Sequence, residues 1–597
     1  LLSRGLGDVY KRQTQLNPLT LPRLMRIVIE GYPYDGRRLR EVVPAGMPDF
    51  PGKEGEIRVS YVGYCFNPAI NDCVFFLPKV VLTPETEGAT DDAGRGLVLG
   101  RYHPYALLDR DCAGMDGADR RFLNELAVWI YRAVSVFSRN NDTTVVSRHE
   151  CVDAGCTART KDATLVDIIL SLIRFARVNR DFMLFEIRNL HRGHDRVDWR
   201  RTVARRTPVM RGRTPVYPEP VNRRKQIDFD EELFVIYHSI LDHVRRQYGF
   251  RVETEWHYEP IGAAAFRHYL AGYGAKRLRQ IKYKYFSDKA LELWNLCHAF
   301  FSRAERLNSS RLAGEWLVAR DFDIVFESMV DSLLGESVPP GFREQADGKR
   351  IDHIYRWPAL VGADALVYHI ADSKYYRLGA RIDRKSVYKQ YTYARNVIQR
   401  TLEIGFGDGT DDEKRAMGYL PYRDTVTEGY TVSPNFFISA KIAGDGAGAP
   451  YSYATPALRP HDVDLHGEPR LEHRIFHFEN RLFDRDTLIL SHYDINFLYL
   501  TALYGKGNVA EQSAFRRLAR KTFRDGLLRL LERYYSFYRV DYAPEGVKAF
   551  VERNFRQLAG KLFHFDGVLI MALERGHAGN AAILSDHGHR LTPYHLY

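Results

Sequence analysis

Alternation of apolar and polar positions predicts a mixed first third of the chain. Two apolar runs, residues 57–66 and 73–82, flank a turn rich in Asn and Asp, which is typical of a β-hairpin. Helical periodicity follows at residues 121–137 and 165–178. This part is therefore expected to be a mixed α/β or α+β module.

A compact helix, strand, strand, helix order is predicted after residue 310. Apolar positions at helical spacing cover residues 324–334, and alternation predicts strands at 348–357 and 366–376. Residues 384–402 form an amphipathic pattern whose apolar stripe contains a glutamine. These four elements follow one another closely in the sequence, so they are expected to pack against one another.

The remaining periodic segments extend this pattern to both sides. Helices are predicted at 231–248, 266–306, 496–503, 513–538 and 544–562, and strands at 435–442 and 487–492. Together the segments predict an α+β multidomain fold with C-terminal helices.

Composition narrows the class of protein. The chain has 597 residues, more than one hydrophobic core usually contains, and it carries a net charge of +11, which favours a polyanionic partner. No apolar run approaches the ~20 residues of a membrane span. Its 6 cysteines are too sparse for a disulfide framework, so we expect a reducing, cytoplasmic location.

The positive charge is concentrated in an arginine tract between residues 192 and 225. Guanidinium groups match phosphate geometry with paired hydrogen bonds, and interspersed prolines prevent one continuous helix. The tract could contact either DNA or a protein partner. Its candidate DNA-binding residues are Arg200, Arg201, Arg205, Arg206, Arg211 and Arg213.

Acidic and amide side chains fall at inward positions of the helix, strand, strand, helix segment. Asp372 and Lys374 share one strand face, because side chains on a strand repeat with period two. Asp352 lies in the preceding predicted strand, Glu327 at the edge of the first helix's stripe, and Gln390 within the last helix's stripe. Buried polar groups are costly without partners, so a shared site is expected.

Hard oxygen donors of this kind favour Mg²⁺. The expected metal ligands are Asp352 and Asp372, with the carbonyl of Ser373 as a possible third and Glu327 binding through water or holding a second ion. Lys374 is expected to stabilise an attacking hydroxide and the charge on a phosphate. Gln390 is expected to orient Lys374 or the phosphate.

This set of residues resembles the motif of the PD-(D/E)XK nuclease superfamily, which would be Glu327, Asp352, Asp372-Ser373-Lys374 and Gln390. One departure is Ile351, which stands where a proline often precedes the acid. More narrowly, the chain resembles the LlaJI-type restriction endonuclease subunit, which is related to McrC. The segments that carry this resemblance are 61–64, 77–80, 197–203, 371–376, 388–391 and 481–488.

The resemblance implies a restriction-endonuclease-like α/β core and a Mg²⁺-dependent (Mn²⁺ possible) endonuclease subunit of a phage-defence system. It also implies DNA as substrate and a separate McrB-like AAA+ NTPase as partner. The sequence contains no phosphate-binding loop of the Gly-x-x-x-x-Gly-Lys-Ser/Thr type, so the chain is expected to bind no nucleotide itself. Double-strand cleavage needs two active sites, which favours a homodimer.

The expected domain division has four parts. Residues 1–13 resemble translated sequencing-adapter sequence and are excluded from the fold. Residues 14–308 are expected to dock the partner or DNA, 309–505 to form the nuclease core, and 506–597 to form a helical extension.

Other functions fit parts of the same pattern. The chain could be a non-catalytic assembly subunit that activates an AAA+ NTPase, or a repair or recombination nuclease without a motor. A zinc site at His149, Cys151 and Cys156, with Cys65 and Cys73, is a further alternative, although the spacing is irregular and Cys-x-x-Cys is absent.

Overall fold

The structure is a computed structural model of the chain. It describes residues 23–44, 46–47, 55–82, 90, 94–111, 114–141, 145–149, 163–183, 186–191, 196–227, 231–252, 258–309, 314–362, 365–375, 382–407, 410, 414, 422–442, 451–461, 473–475, 478–543 and 545–596.

Strands occur along the whole described chain. In order they are β1 Arg26–Ile29, β2 Pro33–Asp35, β3 Glu56–Arg58, β4 Val62–Asn67, β5 Asp72–Leu77, β6 Val146–His149, β7 Glu186–His191, β8 Arg196–Val197, β9 Val209–Arg211, β10 Thr214–Val216, β11 Asn222–Ile227, β12 Glu315–Ala319, β13 His353–Pro358, β14 Leu366–Lys374, β15 Ser433–Lys441, β16 Arg459–Pro460, β17 His473–Ile475, β18 Leu488–Asn496, β19 Tyr535–Val540, β20 Leu562–Phe565, β21 Val568–Glu574 and β22 Leu591–Pro593.

Helices alternate with these strands. In order they are α1 Gly36–Val42, α2 Pro104–Asp109, α3 Gly117–Asn140, α4 Leu165–Val178, α5 Trp199–Arg205, α6 Glu232–His243, α7 Ala263–His268, α8 Gly274–Ile281, α9 Asp288–Ser309, α10 Phe322–Leu334, α11 Arg384–Phe406, α12 Phe497–Lys506, α13 Val509–Tyr534, α14 Val547–Leu558 and α15 Asn580–His587.

The N-terminal sheet has the strand order β1-β5-β4-β12-β6. The predicted hairpin is confirmed: β4 and β5 are antiparallel, with Asn67 opposite Asp72 across the turn. Strand β12 joins this sheet beside β4, so the sheet includes residues beyond 308. Cys65 and Cys73 are buried in it, and the other members of the alternative zinc site lie outside the described residues or have undescribed side chains.

The core sheet has the order β13-β14-β15-β18-β16, with β17 also paired to β18. Strands β13 and β14 are antiparallel, whereas β14, β15 and β18 run parallel to one another. Helix α11 packs on β14 and β15, and α10 packs on β13 and β14. Every residue of β18 is buried, as expected for a strand covered on both faces.

The C-terminal region contains both the predicted helices and a sheet that periodicity did not indicate. The helix predicted at 513–538 ends at Tyr534, and β19 begins at the next residue. This strand enters a sheet of order β20-β21-β19-β22. The helical period hides the boundary, because α13 and β19 place apolar residues in one uninterrupted pattern.

The α+β multidomain class with a restriction-endonuclease-like core is the fold that the structure shows. Across the described ranges, no helix combines the length and the apolar character needed to cross a membrane.

Candidate active site

Asp372 and Lys374 lie near the end of β14, which has a paired strand on each side. Both side chains are almost fully buried, at 5% and 7% exposure. The Lys374 Nζ atom lies 2.5 Å from Asp372 Oδ2 and 5.3 Å from the centre of the Phe437 ring. The structure therefore holds the acid and the amine together on one face, as the period of the strand predicts, and keeps the amine away from bulk solvent.

Asp352 lies in a bend directly before β13, which corrects the strand predicted at 348–357. The residues before Asp352 form a turn and not a strand, in which the Gln345 N–H donates to the carbonyl of Lys349 at 2.8 Å. In β13, His353 pairs with Ala371, so one further step of the register sets Asp352 opposite Asp372. The two acids are thus adjacent, although Asp352 is not within a strand.

The two carboxyl groups are hydrogen-bonded to each other. Burial and the nearby Asp372 raise the pKa of Asp352 well above its usual range. Burial opposes ionisation of Asp372 as well, but its hydrogen bond with Asp352 and the charge of Lys374 lower its pKa. The pair therefore shares one proton, since two adjacent buried carboxylates do not both ionise without a compensating cation.

Glu327 lies half-buried on α10 and belongs electrostatically to the same group. Burial, then the charges of Asp323 and Asp372, raise its pKa to about 7, while Lys374 acts in the opposite direction. The carboxyl group predicted at the edge of the helix stripe thus faces the Asp372–Lys374 pair.

Gln390 is fully buried on α11, and neither its Oε1 nor its Nε2 has a hydrogen-bond partner among the described residues. Tyr393, three residues later, lies on the same helix face. Burial and the charges of Asp352 and Asp372 raise the pKa of Tyr393 to about 12. This face of the helix is therefore directed towards the acids.

Two residues that sequence reasoning did not include border this group. Tyr393 is one, and its spacing from Gln390 was the available signal. Lys389 is exposed, but its charge lowers the pKa of both Glu327 and Asp372. Lys389 is the exposed neighbour of buried Gln390, and a long lysine side chain reaches past the edge of a helix.

Ser373 connects the site to a buried chain of hydrogen bonds. Its N–H donates to Asp352 Oδ2 at 3.3 Å, and its Oγ lies 2.6 Å from His353 Nε2. The other nitrogen of His353 lies 3.4 Å from Asp331, which Arg343 holds with two hydrogen bonds of 2.7 Å. These contacts fix the backbone between Asp372 and Lys374.

The arginine tract lies far along the chain from this group and is mostly exposed. Arg200, Arg201 and Arg205 are exposed on α5, and Arg211 and Arg213 flank the turn of the β9–β10 hairpin. Arg206 is half-buried and lies 3.8 Å from Glu219. The same surface exposes apolar side chains, namely Trp199, Val203, Val209, Met210 and Val216.

The group of acids has the donors that Mg²⁺ prefers. Asp352, Asp372 and Glu327 supply carboxylate oxygens from adjoining elements, and the shared proton of the two aspartates is what a bound cation would replace. The unpartnered amide of Gln390 adds a polar atom beside them. The side chains of this group therefore match the ligand preference of Mg²⁺.

Comparison with known proteins adds one similarity. Residues 175–338 match the LlaJI restriction endonuclease family model. No curated protein and no solved structure matches the chain.

The match covers roughly a quarter of the chain and supports a restriction endonuclease family and a nuclease role. It includes the exposed arginine tract and helix α10 with Glu327. The matched range ends before Asp352. The likeness of Asp352, Asp372 and Lys374 to a nuclease motif therefore rests on those residues themselves and not on the family match.

Proposed function

We propose that the chain is the Mg²⁺-dependent endonuclease subunit of a restriction system, with a PD-(D/E)XK centre that hydrolyses phosphodiester bonds of foreign DNA. One observation carries the proposal: two acids from adjoining segments, with a lysine on the same strand face, meet in a buried group. The match to a restriction endonuclease family supports it.

The acids would hold the ion. Asp352 and Asp372 would be the direct ligands, with the Ser373 carbonyl as a third, and Glu327 would bind through water or hold a second ion. A bound Mg²⁺ supplies Lewis acidity at the scissile phosphate and acidifies a water molecule. Burial of the carboxylates keeps bulk water out and strengthens their attraction to a bound cation.

Lys374 acts on the phosphate and the attacking water. Its ammonium is oriented by Asp372 at 2.5 Å and rests over the Phe437 ring, so its position is fixed before substrate binds. A preorganised cation stabilises the negative charge that builds on the phosphate oxygens. The Gln390 amide, with no protein partner among the described residues, would hydrogen-bond to the phosphate or to Lys374.

DNA would also contact the exposed arginine tract. Arg200, Arg201, Arg205, Arg211 and Arg213 present guanidinium groups to solvent on one helix and one hairpin, and Arg206 lies beside them. Contacts of this kind neutralise phosphates without reading sequence.

Energy for translocation or activation would come from a partner. The sequence has no phosphate-binding loop, so we propose a separate McrB-like AAA+ NTPase that docks on residues 14–308 in the cytoplasm. A homodimer would supply the second active site for double-strand cleavage.

The test is cleavage of DNA by the full chain, the NTPase and Mg²⁺. We expect Asp372→Asn and Lys374→Met to lower the cleavage rate by at least about 10²-fold, because each removes a preorganised charge from the transition state. Lys548→Met is the matched control, since the Lys548 side chain is 82% exposed.

Two results would contradict the proposal. One is cleavage at the wild-type rate in either site variant. The other is an absence of cleavage by wild type together with full stimulation of NTP hydrolysis, which would favour a non-catalytic assembly subunit.

A further inference from the structure

A second group of potential metal ligands lies near the β16 edge of the core sheet. Strand β18 carries His492 and Asp494 two residues apart, so both point to one face. His461 follows β16, which pairs antiparallel with β18, and its N–H donates to the carbonyl of His492 at 2.9 Å. The sheet backbone itself therefore brings the three side chains together.

The three side chains converge closely. One potential ligand atom from each lies within 4.8 Å of the others. The rings of His461 and His492 stack with centroids 3.9 Å apart, and His461 Nδ1 lies 2.7 Å from Asp494 Oδ1. His492 and Asp494 are buried, whereas the His461 side chain is 35% exposed, so the group is accessible from solvent on one side.

Two imidazoles and one carboxylate form a ligand set that divalent transition metals bind and that differs from the all-oxygen set Mg²⁺ prefers. We propose that His461, His492 and Asp494 bind one divalent transition-metal ion, with Zn²⁺ as the expected species. Three protein ligands leave a coordination position for water or a phosphate oxygen.

Neighbouring side chains hold the ligands in place. Ser439 Oγ lies 2.7 Å from His492 Nε2, the kind of outer contact that fixes a ligand ring. Lys441 Nζ lies 3.5 Å from Asp494 Oδ2 and is half exposed. Its ammonium balances Asp494 in the absence of an ion and can turn into solvent when an ion binds.

This site is separate from the nuclease centre. Register places Asp372 beside Phe437 and Phe437 beside His492, on the same sheet face. Two strand spacings place the backbone positions of Asp372 and His492 about 10 Å apart. The paired ions of a two-metal phosphoryl-transfer centre lie about 4 Å apart, which is much less than this backbone separation.

The experiment is Zn²⁺ binding to the purified full chain after removal of metal with a chelator. Calorimetry measures affinity, and visible absorption of bound Co²⁺ reports nitrogen ligands. We expect His461→Ala to weaken Zn²⁺ binding at this site by at least about 10-fold and to remove the Co²⁺ absorption. Asp494→Asn should weaken binding in the same direction.

Two controls separate this site from other sources of binding. His595→Ala removes a histidine that is 80% exposed and should leave binding unchanged. Asp372→Asn changes the proposed nuclease centre, which has no nitrogen ligands, and should leave the Co²⁺ absorption unchanged, so the two proposals fail independently.

Three results would overturn the inference. One is wild-type Zn²⁺ affinity in His461→Ala. This variant is expected to fold, because the His461 side chain is partly exposed. Another is loss of the Co²⁺ absorption in Asp372→Asn. The third is an absence of Zn²⁺ binding by wild type at micromolar concentration.

Discussion

Gln390 lies in an apolar layer between α11 and the core sheet, together with Val387, Ala394 and Ile398. Both polar atoms of its amide are buried and unpartnered among the described residues. A buried amide without partners costs free energy of folding. The structure thus contains a polar group that weakens the core and is directed towards the acids of the site.

Replacement of this amide is predicted both to stabilise the protein and to lower its cleavage rate. Gln390→Met keeps the shape and removes the desolvation cost, so the free energy of unfolding of the metal-free protein should rise by about 1–3 kcal/mol. The cleavage rate should fall, because the proposed contact to phosphate or Lys374 is lost. Denaturant unfolding and DNA cleavage measure the two effects.

Gln345→Met is the matched control. The Gln345 amide is bonded on both sides, accepting from Asn396 Nδ2 at 2.8 Å and donating to the carbonyl of Tyr393 at 3.4 Å. This change should destabilise the protein. A loss of stability in Gln390→Met as well would mean that the Gln390 amide has partners in solution.

At the scale of elements, helix α13 holds the end of the helix that carries Glu327. Arg520 of α13 donates to the carbonyl of Leu334 at 2.7 Å and lies 4.4 Å from the Tyr355 ring centre. Arg516 donates to the carbonyl of Ser332 at 2.9 Å, and Arg524 to that of Ala359 at 2.8 Å. Cations at a helix C-terminus satisfy its last carbonyls and complement its dipole.

Loss of the buried arginine is predicted to loosen that helix. Arg520→Gln should lower the free energy of unfolding by about 2–3 kcal/mol, because hydrogen bonds from a charged donor are lost and the carbonyl stays buried. Thermal and denaturant unfolding measure the change. Arg520→Lys should not restore it, since an ammonium cannot reproduce the planar fork of donors.

Arg517→Gln, at an exposed position of the same helix, is the control and should change stability by less than about 0.5 kcal/mol. Equal effects of the two changes would refute the capping role of Arg520.

At the scale of the whole molecule, the N-terminal and core sheets are joined directly behind the site. The hydroxyl of Tyr375, one residue after Lys374, donates to Glu30, and the Lys79 ammonium lies 4.5 Å from the Tyr375 ring centre. Tyr375 also packs edge-on against Phe322 of α10, with ring centres 5.4 Å apart. The end of the strand that holds the lysine is therefore anchored to the first sheet.

Breaking this link is predicted to affect both regions. Tyr375→Phe leaves the buried Glu30 carboxyl without its hydroxyl donor, and should lower the free energy of unfolding by about 1–3 kcal/mol. Cleavage should slow as well, because the position of Lys374 is less well fixed. Tyr388→Phe, at a side chain that is 63% exposed, should change neither quantity. An unchanged free energy of unfolding in Tyr375→Phe would show that the hydrogen bond from Tyr375 to Glu30 does not stabilise the protein.

Local periodicity was enough to predict several elements of the fold. The period of two placed Asp372 and Lys374 on one face of a strand, and the helical period placed Gln390 in a buried stripe. The hairpin at β4–β5 and the limits of α4 also followed from neighbouring residues alone. These features depend on interactions between positions a few residues apart.

Contacts between distant segments could not be predicted in this way. Three features depend on how separate segments pair: the start of β13 after Asp352, the effect of the Lys389 charge on the acids, and the contact of His461 with His492 and Asp494.

The sequence by itself therefore determined which side chains lie on which face of an element, because backbone geometry repeats over short distances. Only the tertiary structure decided which of those faces meet. Parallel strands such as β14, β15 and β18 are joined by long connections, so their order and register follow from packing of the whole core. That packing sets Asp352 beside Asp372 and Tyr375 against Glu30.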